Sequence, residues 1–152
     1  MRVSVIGGST DTDEEYESAH QLGKLLGERG HEVVCGGRTG VMEAVCRGTR
    51  EADGHTIGIL PGHDRRDANQ YVETAIVTGM GNARNVMVVL NGDATIAVDG
   101  GTGTLSELGH ALDLGRPVAG LGTHRIDGVT GIEHVETPEE AVSHVEDSHK
   151  GI

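Results

Sequence analysis

The stretch DGGTGTLSE, Asp99 to Glu107, sets three glycines and two threonines ahead of a carboxylate. Glycine tolerates positive φ and lets the backbone come close to a ligand. A helix that opens after such a turn presents unpaired N–H groups and the positive end of its dipole. Together these features suit an anion, phosphate above all. Gly100, Gly101 and Gly103 supply the turn, and Thr102 and Thr104 add two hydroxyl donors. Two other stretches share the design of apolar run, glycines, then helix-like pattern. IGGST (6–10) brings Gly8 and Ser9, and CGGRTG (35–40) brings Gly36, Gly37, Thr39 and Gly40. None contains GxGxxG, and no GK[ST] follows, so neither a dinucleotide fingerprint nor a P-loop is present. Three such turns in one small chain predict a site for a phosphate-bearing ligand.

Two charged residues could act there. Thr104-x-x-Glu107 fits a capping box, in which the glutamate reaches back to a backbone N–H. Thr137-Pro138-Glu139-Glu140 spells the same box with no glycine run before it and reads as purely structural. Glu107 follows a glycine-rich turn, so it is expected to be a site carboxylate that also caps. Arg84, in GMGNARN (79–85), opens an otherwise apolar helix pattern. An arginine there needs a partner, and its planar fork suits a ligand phosphate or Glu107.

Other chemistries find little support. The nine histidines are scattered, with no HExxH and no paired cysteines, so no metal site is expected. His110 stands apart because it lies one helical turn past Glu107. No GxSxG nucleophile motif occurs. Cys35 and Cys46 fall in predicted core elements and read as reduced thiols. A pyridoxal-phosphate enzyme needs a Schiff-base lysine. Lys24 lies mid-helix and Lys150 near the C-terminus, so neither is placed for it.

The elements that must position these residues follow from hydrophobic pattern. Strands are predicted over 3–6, 33–35, 56–60, 74–78, 94–98, 118–121 and 132–135. Helices are predicted over 14–29, 39–52, 81–90, 104–114 and 138–149, with 62–70 a polar loop. Their alternation predicts an α/β chain: one Rossmann-like three-layer sandwich over residues 1–152, with a mostly parallel sheet. The glycines gather at strand ends, where such folds bind ligands.

Charge narrows the partners. The 152 residues carry 24 acidic and 12 basic side chains, a formal net charge of −12, with only two lysines and no Phe or Trp. High acid with little lysine resembles the composition of proteins from salt-rich cytoplasm. No basic patch or aromatic platform appears, so no nucleic-acid partner is expected. No apolar stretch approaches the roughly 20 residues of a membrane span. MRVSVIGGS lacks the apolar core of a signal peptide. A cytoplasmic location without a membrane partner is the expectation.

The quoted motifs also carry a resemblance. CGGRTGVMEAV resembles the GGG-x-x-GLMG segment of LOG-like (SLOG superfamily) proteins. GMGNARN resembles their arginine-bearing segment, and DGGTGTLSE their PGG-x-GT-x-x-E signature. Order and spacing agree over about residues 3–121. The nearest group looks like the small proteins related to molybdenum-cofactor carriers and labelled "possible lysine decarboxylase". LOG enzymes are cytokinin riboside 5′-monophosphate phosphoribohydrolases that release base and ribose 5-phosphate. The resemblance implies catalytic roles for Arg84 and Glu107 and a phosphate cradle at Gly100–Thr104. It implies no required cofactor, but a bound nucleotide ligand or molybdopterin, and a homo-oligomer. The alternative it leaves open is a non-catalytic nucleotide or pterin carrier. Two departures stand out: Asp99 replaces the signature's proline, where it would suit ribose hydroxyls, and GVME replaces GLMG, bringing in Glu43.

Overall fold

The computed structural model describes residues 1–10 and 12–150. Seven strands form one sheet: β1 (Arg2–Gly7), β2 (Glu32–Cys35), β3 (Thr56–Leu60), β4 (Thr74–Val77), β5 (Ala94–Val98), β6 (Val118–Leu121) and β7 (Ile132–Val135). Among the described residues five helices accompany them: α1 (Asp13–Glu28), α2 (Val41–Glu51), α3 (Asn85–Leu90) and α4 (Thr102–Asp113) between strands, and α5 (Pro138–Lys150) after the last. The spatial order is β4-β3-β2-β1-β5-β6-β7, and every pair is parallel. The Rossmann-like α/β reading of the sequence is correct.

The central strands are buried on both faces, so their sequences read as largely apolar runs without polar alternation. Alternation still sorts the side chains. Val3, Val5, Val33, Cys35, Ile96 and Val98 pack with α1, α2 and α5. Ile6, Val34, Ile57, Ile59 and Ala97 join Val88, Val89, Leu108 and Ala111 of α3 and α4. Buried hydroxyls interrupt these runs at Ser4 and Thr95, and Ser4 donates its hydroxyl to the Val88 carbonyl at 2.7 Å.

α1 and α2 cross at two glycines. A Cβ on Gly23 would lie 2.0 Å from the Val45 carbonyl oxygen, and one on Gly48 2.1 Å from that of His20. This contact of backbone on backbone seats α2. Its first N–H, from Val41, bonds the Gly8 carbonyl at 3.0 Å, which fixes the turn after β1.

Several helix boundaries differ from the sequence reading by a residue or two, and the differences at α3 and α4 bear on the site. The pattern over 81–90 divides into a 3₁₀ turn, Gly81–Arg84, and the short helix α3. Gly79 and Gly81 both have positive φ, which delays the regular helix. α4 opens at Thr102 rather than Thr104, because the glycine turn ends at Gly101. Thr104 is therefore the third helical residue and no side chain caps α4. The expected Thr104–Glu107 capping box does not exist. The one at Thr137 is real: its hydroxyl accepts from the Glu140 N–H, and the Glu140 carboxylate accepts from the Glu136 N–H, each at 3.2 Å. A further box, Thr12 with Glu15, starts α1. The polar loop over 62–70 holds a 3₁₀ turn at Arg65–Asp67.

Because a methyl at either glycine meets main chain, which cannot rotate aside, Gly23→Ala and Gly48→Ala are each expected to destabilise the fold by about 2–3 kcal/mol. Urea unfolding of the two variants checks this.

Candidate ligand site at the sheet switch point

β1 is followed by a strand on one side of it and β5 lies on the other. This is the topological switch point at which open parallel sheets bind ligands, beyond the strand C-termini. Two of the three glycine turns, those after β1 and β5, flank it directly. They approach closely: a Cβ on Gly7 would lie 2.4 Å from the Val98 carbonyl oxygen, and one on Gly8 3.4 Å from Gly100 Cα.

A cavity of about 530 Å³ opens here. It brings together Gly8, Ser9, Gly36, Gly101, Thr102, Gly103, Thr104, Arg84 and Glu107 from the sequence reading. α4 aims its start into the cavity, and with no capping side chain the N–H groups of Thr102, Gly103 and Thr104 have no intrahelical acceptor. The remaining expectations land elsewhere. Asp99 and Gly100 line an adjoining cavity of about 450 Å³ with Glu15, Thr123 and His124. Gly37, Thr39 and Gly40 line neither cavity. Gly37 and Gly40 serve packing instead: a Cβ on them would strike Leu60 at 2.9 Å and the Gly8 carbonyl oxygen at 2.5 Å. His110 is exposed, and neither it nor Glu43 reaches either cavity. Sequence reading missed Met42, Asn82, Asn85 and Ser106, which complete the wall. The asparagines flank Arg84 in GMGNARN and were legible only as its neighbours.

Arg84 is 8% exposed. Its Nε–H donates to the Ile59 carbonyl at 2.9 Å, Nη2 to the Gly36 carbonyl at 3.5 Å, and Nη1 to Asn85 Oδ1. Glu107, also 8% exposed, projects from the second turn of α4. The two do not form an ion pair: among the described residues none within 4.0 Å joins them, contrary to one of the two sequence expectations. Burial pushes the Glu107 carboxyl up and the more distant Arg84 charge pulls it down. Burial wins, and the carboxyl titrates at about 7. Burial likewise holds Arg84 below its ordinary value.

Asp99 has φ 49°, one of two non-glycine residues with positive φ among those described. Proline is fixed near −65° and cannot stand there. The aspartate thus marks a turn that a proline at this position could not make. Thr123 steadies it, donating its hydroxyl to the Asp99 carbonyl at 2.8 Å. Cys35 and Cys46 are free, buried and 3.5 Å apart at sulfur. Among the described residues no group of three or more His, Cys, Asp or Glu could hold a metal ion, and no helix is long and apolar enough to cross a membrane.

A doubly covered parallel sheet with a helix start, a buried arginine and a buried glutamate around the cavity at its switch point defines a protein of the Rossmann-like class. The match is more particular than that class: residues 1–150 fit the SLOG cluster4 family, and the chain belongs to it. It is 41% identical to an uncharacterized protein from Archaeoglobus fulgidus over 95% of this chain and 93% of that one. It is 33% identical to a cytokinin riboside 5′-monophosphate phosphoribohydrolase from Mycobacterium tuberculosis, over 80% of this chain and 65% of that one. The relatives with that activity in their names are longer, and the chain spans between 39% and 65% of their lengths. The solved structure of a molybdenum cofactor binding protein from Rippkaea orientalis matches with a TM-score of 0.89 at 35% identity, over 96% of this chain and 95% of that one.

The Glu107 shift carries a sign for stability. The folded carboxyl holds its proton up to about pH 7, whereas the unfolded one releases it near 4.5. Stability therefore falls as pH rises from about 4.5 to about 7 and is level above. Glu107→Gln removes this penalty. Melts are expected to show it more stable than the wild type at pH 8, by up to about 3 kcal/mol, and equal to it at pH 4.

Proposed function

We propose that this protein binds a nucleoside 5′-monophosphate and hydrolyses its N-glycosidic bond. The observation that carries the reading is a buried carboxyl with a pKa of about 7 in the same cavity as a helix start suited to phosphate. The phosphate sits on the N–H groups of residues 102–104, with the Thr102 and Thr104 hydroxyls close by. This places the sugar toward Arg84 and Glu107. As the C1′–N bond breaks, its electron pair leaves with the base and the sugar becomes oxocarbenium-like. Ionised Glu107 stabilises that charge and takes a proton from the water that attacks C1′. The proton passes to the departing base nitrogen. Arg84, held by two carbonyls and an amide, is a fixed positive charge that orients the substrate. Gly8, Ser9 and Gly36 form the facing wall.

The adjoining cavity offers Asp99 and Glu15. Carboxylates there suit ribose hydroxyls and oppose further phosphates, so a monophosphate is favoured over a triphosphate. In a salt-rich cytoplasm, which the acidic composition suits, the Debye length falls to about 3 Å at molar salt. Contact donors of the kind α4 provides then matter more than long-range steering. No metal or resident cofactor is needed for this chemistry, and the net charge of −12 opposes nucleic acid as a partner. We further propose that the chain acts as one domain and self-associates. Exposed Ile76, Val77, Met80, Val86 and Leu90, on edge strand β4, the turn after it and α3, support this.

A second reading is a non-catalytic carrier of a nucleotide or molybdopterin. The likeness to the Rippkaea protein favours it, since it extends over nearly the whole of both chains.

Incubation with AMP and other monophosphates, assayed for free base and ribose 5-phosphate, separates the two. The hydrolase reading expects release whose rate falls as pH drops below about 7, as Glu107 takes up its proton. Glu107→Gln should lower kcat at least a hundredfold while AMP still binds, and ATP should bind at least fivefold more weakly than AMP. No release from any monophosphate, together with a pterin co-purifying with the protein, would sink it in favour of the carrier.

A further inference from the structure

We infer that Asn85 is a phosphate-binding and specificity-determining residue of this site, dividing its labour with Arg84. The inference rests on the reading of the α4 start as a phosphate cradle. An arginine guanidinium has five donors and no acceptor. The Asn85 side-chain atom that meets Arg84 Nη1 must therefore be its carbonyl oxygen. This fixes the amide: its NH₂ faces the other way. There it meets the cradle, for a Cβ built on Gly103 would stand 3.6 Å from Asn85 Nδ2. Asn85 is half-buried and lines the cavity. Among the described residues no hydrogen bond donated by Nδ2 is present, while the Asn85 oxygen is engaged by Arg84. A neutral N–H donor thus completes a ring with the N–H groups of residues 102–104.

The same bond defines what Arg84 does. Three of its five donors are committed to Ile59, Gly36 and Asn85, and two remain for the ligand. Its charge is largely buried in the same cavity as Glu107. The phosphate is then held by neutral donors at α4 and Asn85, and the cation is kept for the sugar end. The ligand class this selects has one terminal phosphate that meets the Asn85 amide and the first N–H groups of α4 side by side.

The test uses charge reversal at constant shape. In Asn85→Asp one carboxylate oxygen still accepts from Arg84, so the guanidinium stays held. The other replaces Nδ2 and confronts the anion. Asn85→Ala loses both roles but adds no charge. Inorganic phosphate and ribose 5-phosphate are titrated calorimetrically into the wild type and both variants at pH 8, with melts to verify folding. The expected order of affinity is wild type, then Ala weaker by threefold to tenfold, then Asp weaker by at least thirtyfold. A residue that only positions Arg84 predicts the reverse, Asp close to wild type and Ala worst, and that order overturns the inference. So does a wild type that binds neither ligand. Should Asn85→Asp fail to fold, an Ala variant within twofold of wild type is enough to reject it. Because neither probe has a bond to cleave, a failure of AMP hydrolysis leaves these results standing.

Discussion

The site depends on how closely two strand ends can approach. β1 and β5 run side by side in register, Gly7 opposite Val98. At Gly7 there is no room for even one carbon beyond the backbone, and at Gly8 barely room for one. Because the turns after these strands touch, the start of α4 meets the wall formed by Gly8 and Ser9, and a cavity forms between them. Side chains larger than hydrogen would hold the two turns apart, and the first N–H groups of α4 would face solvent instead of a pocket. The tight crossing of α1 and α2 at Gly23 and Gly48 serves the same end. It seats α2 so that Val41 can pin the Gly8 carbonyl.

Within that cavity, burial and charge compete. Arg84 and Glu107 are both largely withdrawn from water, yet they do not touch. Had they paired, the carboxyl would be held ionised well below neutral pH and the guanidinium would be spent. Kept apart, the arginine is satisfied by carbonyls and an amide, and the carboxyl rises to about 7. A fold that leaves a carboxylate buried without its available counter-ion gives up stability at neutral pH. Such an arrangement is more often found where the group has chemistry to do than where it merely packs.

Much of this was legible in particular residues. The largely apolar runs VSVI, TIGIL and ATIAV give buried parallel strands because side chains of both alternating sets are covered, and the hydroxyls of Ser4, Thr56 and Thr95 are buried with them. The glycine turns marked the edge of the sheet where the candidate site lies, although some of their glycines serve packing alone. Asn85 was not legible. An asparagine after an arginine is unremarkable until the direction of its amide is known, and that follows from a hydrogen bond rather than from spacing. The Thr104–Glu107 capping box shows the opposite error. Its spelling is the same as at Thr137, but a helix that begins two residues earlier turns the glutamate from a cap into a buried side chain.

The sequence by itself therefore determined the class of fold, the order of its elements and which strand ends are rich in glycine, because hydrophobic period and glycine placement are local properties. Tertiary structure alone decided which glycines line the cavity and which only pack. Gly36 and Gly101 line the cavity, whereas Gly37 and Gly40 fill contacts with Leu60 and Gly8. It also decided the left-handed turn at Asp99 and the titration of Glu107. These are set by distances between segments far apart in the chain: by which backbone stands 2–3 Å from a missing Cβ, and by how much water reaches a carboxyl.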